Sequence, residues 1–369
     1  MARLIDPRIA RAVARRVAGD SPGGDSYLMG RLERDLDSAV PRSEALVAEA
    51  SGIPVPPPVR WGLIDRAAWV EVNIAGLTQL LAPIAAKVER RLGHQHMAAR
   101  LAQRGLVSAE VGVLLGYVSR RVLGQYDLLV PEKPVEQRRT LAIAGGRRGR
   151  AREPADGASL LFVGPNIVDF ERRFGFVPED FALWVCVHEV THRFQFAGVP
   201  WLRPHFFELV ESYLESHELD AAALSARLRS AAVRLASRAT PAGERNPIYL
   251  LATEEQRRQL DRIQALMAVV EGHGNYVMDT VGAAVIPSFR RMRGVFERRR
   301  EQTTALQRAI NHAIGLEMKL RQYEMGQRFC NGVAALEGPA AFRHLWAAPE
   351  NLPSLAELEE PSRWLRRVA

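Results

Sequence analysis

After Pro178-Glu179-Asp180, an acidic start suited to the positive end of a helix, the chain reads helical through Ala197 and stops at Gly198. Phe181, Trp184, Val185, Val187, Val190 and Phe194 fall on more than one side of this helix, as in a segment buried all round. The same run contains His188-Glu189-Val190-Thr191-His192, whose two imidazoles and carboxylate are costly in an apolar interior unless they find partners. Any fold this chain adopts must enclose the helix and still provide for those groups.

Residues four apart on a helix differ by about 40° in direction, so His188 and His192 project side by side and can grip one ion. Glu189 stands next to the first and can hold a water there as general base. Zinc suits the arrangement because it accepts imidazole nitrogen and carboxylate oxygen and leaves a position open at catalytic sites. Cys186 and Cys330, the only cysteines, lie far apart and support neither a disulfide framework nor a thiolate zinc site. Cys186 faces away from His188 and reads as a small core residue.

A third ligand is expected on another apolar helix, and the segment Leu260 to Val281 offers one. Glu271 falls on the stripe formed by Leu260, Ile263, Met267, Val270, Gly274 and Met278, the face that should pack inward. His273 lies about 200° around the helix from Glu271, so an undistorted helix cannot aim both at one ion. Glu271 is the preferred third ligand, with His273 and Asp279 as alternative ligands or supporting groups. Gly272 and Gly274 would let a second helix approach closely. His205, following Trp201-Leu202-Arg203-Pro204, and Tyr276 and Tyr323 are candidate transition-state donors. His94, His96, His217, His312 and His344 have no ligand-like spacing.

Residues 1–52 read as an N-terminal helical arm, with helical patches over Ile9 to Val17 and Leu32 to Ala50. The run Ile53-Pro54-Val55-Pro56-Pro57-Pro58 cannot be helix interior and marks the boundary with a domain over 53–369. Helices are expected from Asp65 to Arg91, Ala109 to Leu123, Phe206 to His217, Leu219 to Ala236, Thr253 to Val281 and Phe296 to Phe329. Strands are expected over Gln125 to Val130 and Ser159 to Val163, with the Gly- and Arg-rich stretch Arg138 to Arg152 as an exposed loop between them. The proline-punctuated Pro349 to Pro361 reads as an irregular tail. The class is α+β, mainly α-helical, with a small β-sheet.

With 369 residues, 47% of them hydrophobic and 25% charged, the chain is neither disordered nor collagenous. No stretch approaches the ~20 apolar residues of a membrane span, and the start lacks a secretory h-region, so a cytoplasmic protein without membrane partners is expected. The +8 net charge is carried almost wholly by arginine spread along helices, with no aromatic-interleaved motif, which argues against nucleic acid as a partner.

Val122 to Asp127, Leu161 to Ile167, Trp184 to Phe196, Trp201-Leu202-Arg203, Glu271 to Asp279 and Gly315 to Tyr323 resemble the zincin-like metallopeptidase type 2 family of bacterial proteins. Some members of that family are associated with biosynthesis of a deazaflavin coenzyme. The resemblance runs from about Asp65 to the C-terminus. It implies a zincin-like core, with His188 and His192 as motif ligands, Glu189 as the catalytic glutamate and Glu271 at the third-ligand position. The expected activity is zinc-dependent hydrolysis of a peptide or protein substrate; the alternative is a non-catalytic scaffold that keeps a structural zinc.

Overall fold

The computed structural model describes residues 5–19, 26–82, 85, 97–128, 158–216, 252–301 and 316–368. The Arg138 to Arg152 loop, the helix expected over Leu219 to Ala236, and His94, His96, His217 and His312 lie outside the described residues. In chain order the elements are α1 (Pro7–Ala18), α2 (Ser26–Ser51), β1 (Arg60–Ile64), α3 (Arg66–Leu80), α4 (Met97–Ser119), β2 (Gly124–Tyr126), β3 (Ala158–Val163), α5 (Gly164–Phe174), α6 (Pro178–Gly198), α7 (Leu202–Glu215), α8 (Glu254–Val285), α9 (Phe289–Glu301), α10 (Leu316–Glu337), α11 (Phe342–Ala347), α12 (Leu355–Glu359) and α13 (Pro361–Val368). The α+β class, mainly helical with a small sheet, is the one expected. Among the described residues no helix is long and apolar enough to cross a membrane.

The chain divides into two compact units: Met1–Ala50, Pro54–Gly198 and Met278–Arg298 form the first, and Ser51–Ile53, Val199–Val277 and Arg299–Ala369 the second. In the first, the sheet has the order β1-β3-β2, with β1 parallel and β2 antiparallel to β3. Leu160 to Val163 of the central strand are all buried, the continuous apolar run of a strand covered on both faces. The sequence pattern anticipated β2 and β3 but placed β2 too long, and it missed β1. Arg60-Trp61-Gly62-Leu63-Ile64 follows a proline run and becomes a strand through pairing with β3.

Helix α5 was also unanticipated, because Gly164-Pro165-Asn166 reads as a turn; Pro165 instead occupies the first turn of the helix, where its missing N–H costs nothing. Asn166 is a buried hub. Its Oδ1 accepts from Arg66 Nε at 2.6 Å, and its Nδ2 donates to the carbonyls of Ser119 (2.7 Å) and Val122 (2.6 Å). This ties α3 and α5 to the end of α4 and fixes where β2 begins. Helix α1 packs Ala10 and Ala14 against α4, closely enough at Gly112 and Gly116 that the two backbones nearly touch. Helix α2 is fastened by Arg31, which pairs with the buried Glu171 of α5, and by Glu44, which pairs with Arg193 of α6.

In the second unit, α8 crosses α10 at Gly272 and Gly326. A Cβ on Gly272 would overlap the backbone of Gly326, and one on Gly326 would overlap the Ala268 carbonyl. The close approach anticipated at Gly272 is therefore present. The single inward stripe expected of α8 is not: Ala268 to Asn275 are buried on every side, because α10 covers one flank and Phe342 and Trp346 of α11 pack on His273. The C-terminal segment is largely helical rather than irregular. Ser354 and Glu357 form a capping box at α12, Trp364 Nε1 donates to the Asn351 carbonyl at 2.6 Å, and Arg367 gathers Glu357 and the carbonyls of Glu350 and Leu352.

Two outcomes follow from this packing. Gly272→Ala gains roughly 1 kcal/mol of helix propensity but forces α8 and α10 apart, so urea unfolding should show a net loss of about 2 kcal/mol or more. Burial pushes the Glu171 carboxyl up to about 7, against the pull of Arg31. Its folded pKa thus exceeds its unfolded one, and the stability it contributes is full below about pH 4.5 and lost as pH rises through about 7. Glu171→Gln should flatten that part of the stability profile, an effect on the order of 3 kcal/mol at most.

Candidate metal centre

Helix α6 begins with Glu179 and Asp180 in its first turn, and Asp180 Oδ2 accepts from the backbone N–H of Ser288 at 2.9 Å. From Phe181 to Phe196 only Trp184, His188 and His192 are more than slightly exposed. They are spaced four apart, so the half-open positions form one stripe on an otherwise enclosed helix.

His188 and His192 face each other across one turn. Their ring centroids are 4.6 Å apart with planes at 82°, and their Nε2 atoms are 3.2 Å apart. Two nitrogens each about 2.05 Å from one ion at a tetrahedral angle stand about 3.3 Å apart, so the spacing fits a shared zinc-sized ion. The Nδ1 of His192 donates to Gln195 Oε1 at 3.0 Å, which leaves the Nε2 lone pair on the side facing His188. Gln195, fully buried, carries no sequence motif; its signal is an amide one turn from a histidine in an apolar run.

Glu271 is buried, and one ligand atom from each of His188, His192 and Glu271 lies within 4.8 Å of the others, a group able to hold a metal ion. The ring of His273 is fully buried edge-on to Phe342 and Trp346, with centroids 5.2 and 5.1 Å away. Asp279 pairs with Arg293 at 2.6 Å. Tyr276 packs edge-on to Phe342 at 5.1 Å, and the side chain of Tyr323 lies outside the described residues. His205 lies against Trp201 and 3.7 Å from Glu208; burial, aided by Arg262, holds its pKa below the ordinary value despite Glu208. Its ring is therefore neutral near pH 7.

Glu189 is buried on α6, and its carboxyl end lies against Gly124 at the start of β2. Burial and the nearby Glu189 carboxylate push the Cys186 thiol well up, so Cys186 stays protonated as a core residue. Next to the histidines, Arg193 has no exposed side-chain surface. It donates to Glu44 at 2.6 Å and to the carbonyls of Pro56, at 3.1 Å, and Pro57.

A proposed hydrolase of novel fold from Chloroflexus aurantiacus, known from its crystal structure, is similar to this chain at 32% identity and a TM-score of 0.65, with 98% of each chain covered. No curated protein matches the chain. The match to the zincin-like metallopeptidases runs from residue 5 to residue 365, taking in the N-terminal helices as well as the histidine-bearing α6 and the glutamate-bearing α8, and the chain therefore belongs to that family.

Proposed function

We propose that the chain is a zinc-dependent hydrolase of peptide bonds, in which His188, His192 and Glu271 hold the ion and Glu189 is the general base. The observation that carries this reading is the gathering of three neutral-or-anionic donors, two of them facing Nε2 atoms on a helix that also carries the buried Glu189 next in sequence to His188. A zinc ion in such a site supplies Lewis acidity, polarising a carbonyl and bringing the ionisation of water to about pH 7. Glu189 takes the proton of the attacking water on a carboxylate oxygen and returns it to the departing amine nitrogen. Gln195 keeps the His192 proton on Nδ1, so that Nε2 is the ligating atom. Family membership and the likeness to the Chloroflexus protein support hydrolysis; the peptide substrate is inferred from the chemistry of the site.

Zinc-loaded protein should cleave members of a broad peptide library, and Glu189→Gln should lower turnover by about 10²–10⁴-fold with one zinc still bound per chain. Zinc-loaded wild-type protein that leaves the whole library intact would favour a scaffold over a hydrolase. Gln195→Leu should weaken zinc binding about 10–100-fold in a chelator competition, while Gln195→Glu, which keeps an acceptor for His192 Nδ1, should retain it.

A further inference from the structure

Gly124 opens β2, an edge strand of the sheet, and its φ is not among the positive ones, so its conformation does not require glycine. Its surroundings do. A Cβ at this position would stand 2.5 Å from Glu189 Cγ, 2.8 Å from Cδ and 2.9 Å from Oε1. Real side chains never approach so closely, so a residue larger than glycine and the observed Glu189 rotamer exclude each other.

One of the two partners must yield to any added carbon, and the strand is the one held. Before Gly124, Asn166 grips the carbonyls of Ser119 and Val122, and Val163 N donates to the Leu123 carbonyl at 2.8 Å. After it, Tyr126 is buried and pairs with Leu160, and Asp127 N donates to the Ser159 carbonyl at 2.7 Å. The backbone of α6 is enclosed by the Arg193 anchorage a turn further on. Between two fixed backbones the glutamate side chain is the movable part, and rotation about its own bonds absorbs the collision.

We propose that Gly124 is a positioning residue for Glu189: its bare Cα is the floor on which the carboxylate rests, and it sets where that carboxylate is presented. The contact stands on geometry alone; its catalytic consequence rests on the hydrolase reading above. A displacement of about 1 Å in a group that must meet a reacting atom costs on the order of 10²-fold in rate. The ion, assigned to His188, His192 and Glu271, should be retained, and the loss should fall on kcat.

The test uses the full chain as wild type, Gly124→Ala, Glu189→Ala and the double variant. The Glu189 side-chain carboxyl carbon, assigned by its loss in Glu189→Ala, should shift its NMR resonance in Gly124→Ala. The same variant should retain one zinc per chain, lose about 10²-fold in kcat with KM within about twofold of wild type, and unfold at a midpoint whose loss disappears in the Glu189→Ala background. Should Gly124→Ala not fold, the double variant should, since the carboxylate that excludes the methyl group is gone. An unmoved carboxyl resonance, an unchanged kcat in an active enzyme, or equal destabilisation in both backgrounds would overturn the proposal. A wild-type chain inert on every peptide would refute the hydrolase reading instead, and the resonance would still decide the contact.

Discussion

A polar side chain removed from water has to be met by another polar group, and α6 concentrates that demand within eight residues. Thr191 returns its hydroxyl to the Val187 carbonyl of its own helix, at 2.7 Å. Arg193 takes a carboxylate from α2 and two carbonyls from the proline run. Gln195 is engaged by His192. Thr191 and Gln195 are answered within α6 itself, whereas the partners of Arg193 come from two other stretches of chain, so satisfying that one side chain ties α6 to α2 and to the proline run. The half-open stripe of the helix carries the facing Nε2 atoms of His188 and His192, 3.2 Å apart.

A second constraint is steric, and it concerns how near two backbones can come. The α8 and α10 helices meet where neither has a side chain, at Gly272 and Gly326, and this fixes the rotation of α8 at the residue next to Glu271. The same rotation carries His273, about 200° around, into the aromatic wall of Phe342 and Trp346. A glutamate and a histidine two positions apart thus have separate surroundings. The donor group gathers the glutamate with His188 and His192, while the histidine is packed as an aromatic ring among others.

Periodicity made the long helices legible, and the motif spacing made His188, Glu189 and His192 legible, because both follow from the 3.6-residue turn alone. Helix α8 shows where that reasoning stops. A single apolar stripe singled out the face bearing Glu271, but the helix is enclosed all round, which depends on a crossing partner more than forty residues away. Strand β1 exists through its pairing with β3, almost a hundred residues downstream, and so left only a weak local trace. Helix α5 was hidden by Gly164-Pro165-Asn166, whose turn-like composition also suits a helix start; Gly175 and the basic pair Arg172-Arg173 at its end were the available signals. Gly124 could not be singled out at all. Its role is defined by empty space, and a sequence records the glycine without recording what occupies the room it leaves.

The N-terminal helices illustrate how the two constraints combine. Glu44 on α2 is the carboxylate partner of a guanidinium with no exposed surface, and an unanswered buried charge costs on the order of 3–5 kcal/mol. Arg31 on the same helix meets the buried Glu171 on α5, and the first turn of that helix carries the Asn166 hub. Asn166 in turn sets the start of β2, and β2 carries the glycine beneath Glu189. The stretch before the proline run is therefore chemically continuous with the helix that bears the histidines, through partners that apolar burial alone would not specify. That continuity gives a physical reason for the family match to begin at residue 5 instead of after the prolines.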